Sequence, residues 1–230
     1  MPERAVVVPA SDATLLVRFG ESMSEASHRS VLTLLGTLGA DPPRGLLDLR
    51  PAYASLLVVY DPVRSGPEEM EEAVRRALAA SAPVAARRAR PVEIPVRYGG
   101  EAGPDLAGIA KEAGMTEEEA AALHAHAGYK VAFLGFAPGF AYLCGLPERL
   151  AAPRLPTPRT RVPAGSVGIA GGQTGIYPID GPGGWRLIGR TPLRLFGTDR
   201  DPMSLLHPGD RVRFRPVSEA EFERLASEEA

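Results

Sequence analysis

The chain has 230 residues, 44% of them hydrophobic and 23% charged, which excludes a disordered polymer. Its 26 Lys and Arg against 28 Asp and Glu give a formal net charge of −2, without the basic excess that a nucleic-acid or anionic-membrane binder needs. One cysteine, Cys144, excludes an internal disulfide framework and a CxxC metal knuckle, and the four histidines form no HExxH. The opening MPERAVVVPASD lacks the apolar core of a signal peptide, and no apolar run approaches the roughly 18 residues of a membrane span. A cytoplasmic, globular protein is expected.

Ala5–Pro9 and Ala13–Arg18 read as two strands separated by a Pro9-Ala-Ser-Asp12 turn. Ser22-Met-Ser-Glu25 matches a capping box, Val31, Leu34, Leu35 and Leu38 then recur at helical spacing, and Gly39 marks the stop. Leu46–Leu49 and Ser55–Tyr60 read as strands. Ser65-Gly-Pro-Glu68 opens a second helix, with Glu68, Glu69, Glu71 and Glu72 ahead of Arg75 and Arg76, the order that the helix dipole favours. Met70, Val74, Ala77 and Leu78 line its buried face. The pattern predicts a small α/β sandwich over residues 1–84, with helices on one sheet face.

The composition changes at APVAARRARP, so a linker is placed at 85–90 and a second domain at 91–230. Val92–Arg97 reads as its first strand. Asp105–Gly114 and Thr116–His126 read as two short helices, the second opened by the capping box Thr116-Glu-Glu-Glu119. Beyond Tyr129 the helical signal ends. The 25 glycines and 23 prolines are concentrated from about 135 to 216, where they punctuate short apolar runs. Lys130–Phe136, Val167–Ala170, Gly175–Pro178, Arg186–Thr191, Leu193–Leu195 and Asp210–Pro216 are the expected strands, and six or more of them predict a closed or nearly closed barrel. Glu219–Ala230 is a short helix or a frayed end.

No P-loop and no GxSxG elbow occurs, and Gly171-Gly-Gln-Thr-Gly175 lacks dinucleotide-fingerprint spacing. The chemistry concentrates at 133–192. Glycines there allow close backbone approach to a ligand, and prolines fix the loops. Arg159, Arg161, Arg186 and Arg190 suit carboxylate or phosphate, Gln173 suits an amide, and Tyr142, Tyr177 and Trp185 could wall a planar ligand. A barrel whose turns need Gly and Pro, carrying exposed arginines, accounts for the same composition.

The stretches FLGFAPGFAYL and PRTRVPAGSVGIAGGQTGIYPIDGPGGWRLIGRTPLRLF resemble the KipI family, also called allophanate hydrolase subunit 1 or carboxyltransferase domain subdomain C/D. The segments Glu117-Glu118 to Leu123-His124 and Pro208-Gly209-Asp210-Arg211-Val212 also fit its pattern. The resemblance implies an α+β N-terminal domain followed by a mainly-β, cyclophilin-like C-terminal barrel. Stand-alone bacterial members are assigned as one of the subunits of 5-oxoprolinase, which implies work with a KipA-like and a LamB/YcsF-like partner. Together these open 5-oxoproline to glutamate at the expense of ATP. Phosphorylation of the amide oxygen makes the unreactive lactam an imidate that water can open. ATP, with Mg2+ held by the complex, is the implied cofactor; no metal site is expected in this chain.

On that basis Gly135, Pro138 and Gly139 form a rigid loop lining a pocket, with Tyr142 on its wall. Arg159 and Arg161 are the anion clamps, or surface arginines. Ser166 donates to substrate or caps a turn, and Gln173 pairs with an amide or holds a turn. Tyr177 and Trp185 wall the ring or belong to the core; Arg190 and Thr191 contact phosphate, or Arg190 sits in a buried ion pair. His124 is read as structural, His28 and His126 as exposed, Cys144 as a small buried hydrophobe and Asp210 as a turn residue. Asp180 departs from the small polar residue of related sequences. No carboxylate pair stands out as an acid/base couple, so a partner would supply the base. A kinase-inhibiting interaction module, or a urea-metabolising carboxyltransferase or allophanate hydrolase component, are the rival readings.

Overall fold

The computed structural model describes residues 5–21, 24–80 and 89–229. It divides into two units, one ending at Ala89 and the other beginning at Arg90. Most of the expected linker lies outside the described residues.

In the first unit, β1 (Val6–Ser11), β2 (Thr14–Arg18), β3 (Leu46–Pro51) and β4 (Ser55–Tyr60) form an antiparallel sheet in the order β1-β2-β4-β3. The period of two in β4 turns Leu56, Val58 and Tyr60 to one face, which packs with Leu15 and Val17 of β2. Helices α1 (Glu25–Ala40) and α2 (Pro67–Ala80) cover this face with Val31, Leu34, Leu38, Met70 and Val74. The cap of α1 differs from the expected box. Ser24, not Ser22, is the N-cap, and its hydroxyl accepts the Ser27 N–H at 3.0 Å. Ser22 lies outside the described residues. Gly39 stays within the last turn, and the helix ends at Asp41, whose N–H still reaches Thr37 O. His28, expected at the surface, is only 5% exposed and belongs to the buried residues of α1 together with Val31, Leu34 and Leu38.

The second unit is built on a closed barrel. Its strands are β5 (Pro91–Tyr98), β6 (Tyr129–Leu134), β7 (Ala141–Cys144), β9 (Ser166–Ala170), β10 (Gln173–Ile176), β12 (Arg186–Arg190) and β13 (Arg211–Pro216). They close in the order β10-β7-β6-β13-β5-β12-β9, all pairs antiparallel except β13 with β5. Two further strands, β8 (Arg159–Val162) and β11 (Gly181–Gly183), pair with each other. The core holds Ile94, Val96, Val131, Leu143, Val167, Ile169, Ile188 and Phe214, joined by Leu106 and Ile109 of α3 (Leu106–Glu112) and Ala120 of α4 (Glu117–His126). The capping box of α4 is complete: Thr116 accepts the Glu119 N–H while Glu119 accepts the Thr116 N–H. A last helix, α5 (Glu219–Glu228), packs on β5.

Two sequence expectations fail here. Leu193–Leu195 forms no strand: Leu195 is buried, but its carbonyl accepts the Leu205 N–H at 2.8 Å outside any ladder. Cys144 is half-buried rather than enclosed, because it closes β7 at the barrel rim beside the exposed Gly145. No helix among the described residues is long and apolar enough to cross a membrane.

Candidate functional site

Barrel register brings three polar side chains into one row. Arg97 on β5 stands opposite Arg190 on β12, and Arg190 stands opposite Ser166 on β9. Arg159 and Arg161, two apart on β8, join them in a cleft of about 300 Å3, completed by Glu101, Ala102, Pro104, Pro163, Leu187 and Phe222. Of the sequence-derived candidates, the cleft therefore gathers Arg159, Arg161, Ser166 and Arg190.

Each arginine is held differently. Arg159 donates from Nη2 to Asp105 Oδ1 at 2.8 Å, while its buried Nη1 meets no acceptor among the described residues. Asp105 is itself fixed by the Leu187 N–H, which donates to Oδ2 at 2.6 Å. Arg161 places both Nε and Nη2 on one oxygen of Asp180, at 3.0 and 2.7 Å, in a pair whose side chains are 79% and 46% exposed. The other Asp180 oxygen accepts the Ala164 N–H at 2.8 Å. That bond and Arg161 hold the Asp180 carboxyl below the usual carboxylate range. Arg97 pairs with Glu219 of α5 at 2.8 Å. Arg190 has no carboxylate within ion-pair distance among the described residues; its Nε donates to Ala164 O at 2.8 Å.

The remaining candidates lie elsewhere. Tyr177 and Trp185, 2% and 5% exposed, are packed with Phe140, Val162, Ala170 and Leu187. Phe140 meets both rings edge-on, at centroid distances of 5.2 and 5.5 Å. Half-buried Tyr142 stacks on Phe133 at 4.4 Å. The loop of Gly135, exposed Pro138 and buried Gly139 joins β6 to β7 and carries Phe136, which is 66% exposed at a φ of 69°. Gln173 opens β10 opposite Ala170, at the far end of the β9–β10 hairpin from Ser166. Thr191 is buried beside the cleft without lining it; its N–H donates to Gly165 O at 2.9 Å and its hydroxyl accepts the Leu193 N–H at 3.3 Å. Buried Asp210 closes its turn and accepts the His207 N–H at 3.0 Å.

His124 completes a polar chain inside the barrel. Tyr98 Oη lies 2.7 Å from Nδ1, and Nε2 lies 3.0 Å from Thr174 Oγ1. Because the Thr174 hydroxyl donates to Gly168 O at 3.0 Å, its oxygen accepts from Nε2–H, which leaves Nδ1 to accept from Tyr98. Burial pushes the imidazole down to about 3, so it is neutral and already engaged at both nitrogens. Burial likewise raises Tyr98 and Tyr129.

Sequence reading missed Arg97 and Asp105. Each reads as an element boundary, and their partners lie far away in the chain: Asp105 and Arg159 are 54 residues apart.

A family description, the carboxyltransferase domain, subdomain C and D, matches residues 5–206. The chain belongs to this family. Among related proteins, a 5-oxoprolinase subunit of Bacillus subtilis is 41% identical over 238 residues, spanning 99% of both chains. The solved structure of TTHA0988 superposes with a TM-score of 0.79 at 43% identity; it covers 89% of this carboxyltransferase-domain chain, which spans only 40% of that longer one. The Kluyveromyces lactis urea amidolyase also superposes with a TM-score of 0.79 over 98% of this chain and 15% of its own, at 20% identity, a likeness of fold alone.

Proposed function

We propose that the chain is the KipI-type subunit of an ATP-dependent 5-oxoprolinase, acting with a KipA-like and a LamB/YcsF-like subunit to convert 5-oxoproline to glutamate. The observation that carries this reading is the 41% identity to the B. subtilis subunit across 99% of both chains. A relative named as one subunit implies an assembly. The closed barrel, with α3 and α4 packed on it, supports a cyclophilin-like C-terminal domain after a separate α/β domain.

ATP would supply the phosphoryl group that turns the lactam into an imidate, whose carbon water can attack and whose ring C–N bond then breaks with the nitrogen leaving as the amine. The cleft suits the charge that such chemistry brings, since among the described residues no carboxylate lies within ion-pair distance of Arg190 and Arg159 Nη1 meets no acceptor. Arg159, Arg161 and Arg190 would hold oxyanions, with Ser166 as a neutral donor beside them. Asp105, Asp180 and Glu219 already face guanidinium groups, so they make a poor set for Mg2+, which would arrive on the phosphates or through another subunit. His124, neutral and doubly engaged, is no general base, and the base would come from a partner.

The test is 5-oxoproline-dependent ATP hydrolysis and glutamate release, first with this chain alone and then with both partners. Glutamate from the full mixture alone is the expected result. No turnover in any mixture, despite stable assembly, would overturn the reading.

A further inference from the structure

The cleft contains an electrostatic arrangement that folding alone does not favour. Arg97 and Arg190 are directly opposite on neighbouring antiparallel strands, where like charges repel. Arg159 and Arg161 line the same space, and Glu101 is the one carboxylate residue among its lining. The three carboxylates that pair with these arginines, Asp105, Asp180 and Glu219, are absent from that lining.

We propose that the cleft binds a phosphate-class anion of two or more charges, with Arg190 as the standing cation and Arg161 released to the ligand by Asp180. Among the described residues Arg190 is engaged through Nε, so its outer nitrogens present a planar fork matched to two phosphate oxygens. Arg161 is the exchangeable member. Its partner Asp180 is solvent-exposed, and exposed pairs are weak and screened by salt. Asp180 also keeps its second oxygen on the Ala164 N–H, so the loop is still held when the guanidinium turns away. Ser166 on β9, opposite Arg190, offers a neutral donor in the same lining. A monocarboxylate would be satisfied by Arg190 alone and leave Arg161 on Asp180. A dianion competes for both.

Binding is read on the isolated full chain, so this assignment does not depend on turnover or on the oxoprolinase reading. The measurement is calorimetric titration at low salt with inorganic pyrophosphate, ATP and acetate. Pyrophosphate is expected to bind more tightly than acetate, and Arg190→Gln to weaken it at least tenfold. Arg161→Gln is expected to weaken pyrophosphate several-fold and leave acetate unchanged. Asp180→Asn is expected to tighten pyrophosphate, because the amide oxygen still accepts the Ala164 N–H while Arg161 is set free. Tighter binding of ATP than of pyrophosphate names a nucleotide as the source of the phosphates; equal binding names the inorganic anion. Equal pyrophosphate affinity in the wild type, Arg190→Gln and Arg161→Gln would overturn the site, and weaker binding in Asp180→Asn would overturn the release of Arg161. If glutamate forms in the full mixture while these titrations fail, the inference falls and the proposed function stands.

Discussion

The aromatic cluster and the arginine cleft are drawn largely from one Gly- and Pro-rich stretch, yet they are opposite kinds of surface. Around Tyr177 and Trp185 the glycines admit protein rings. A β-carbon on Gly183 would lie 2.4 Å from Tyr177 Oη, and one on Gly175 would lie 3.0 Å from Phe140 and 3.1 Å from Trp185. The space expected for a ligand is filled by side chains. The cleft instead keeps about 300 Å3 open, and among the described residues Arg190 on its wall has no carboxylate within ion-pair distance. A Gly-aromatic composition therefore describes a tight interior as readily as a ligand wall, and only the filled or open space separates them.

The strongest way to sharpen this contrast is to empty the filled side. Trp185→Ala is expected to cost about 3–5 kcal/mol, as a large buried ring is lost with partial relaxation. Urea denaturation followed by far-ultraviolet circular dichroism measures it, since the chain's one tryptophan is the residue removed. Gly183→Ala overpacks Tyr177 and is expected to cost about 1–3 kcal/mol. A denaturation midpoint unchanged in both would mean that the cluster can yield, and the contrast would collapse.

The barrel interior supplies a pH-dependent version of the same test. His124 is neutral in the folded protein down to about 3, against an ordinary value of 6.5. Between those values the unfolded chain binds a proton that the folded chain refuses. Stability is therefore complete above pH 6.5 and falls with pH, by about 1.4 kcal/mol per unit, until the folded value is reached. His124→Gln is expected to lower stability at pH 7, by disturbing Tyr98 and Thr174, and to flatten the acid slope. An identical slope in urea titrations between pH 6 and 4 would assign the acid sensitivity to other groups. A smaller effect is expected at the surface start of α4, where Thr116→Ala removes one half of the capping box and costs about 1 kcal/mol.

That capping box was fully legible in the sequence, because a cap is a local device of four residues. So were α2, with Pro67 in its first turn, and β4, with its strict alternation. Legibility fails where structure depends on pairing at a distance. β7 is four residues between two glycine-bearing loops, too short for a period to show. β8 reads Arg-Thr-Arg-Val and pairs with Gly-Pro-Gly of β11, so neither strand carries an apolar signature. Leu193–Leu195 shows the reverse, apolar spacing with burial but no ladder. The candidate site divides along the same line. Arg159, Arg161, Ser166 and Arg190 stood out by residue type, whereas Arg97 enters through the β5–β12 register, which no local pattern encodes.

The smallest expected stability effect tests the open side most directly. Arg161→Gln removes an exposed guanidinium from an exposed carboxylate, and its denaturation midpoint is expected to match the wild type. Val162, the neighbour on β8 that does enter the aromatic cluster, is untouched by this change. A core position would show the reverse, a large stability loss with no specific binding defect. An Arg161→Gln midpoint that falls as far as that of Gly183→Ala would make the ion pair part of the β8–β11 scaffold rather than a displaceable contact. Unchanged stability with weakened pyrophosphate binding would separate the two regions by function, since adjacent positions on one four-residue strand would then serve the packed interior and the anion cleft independently.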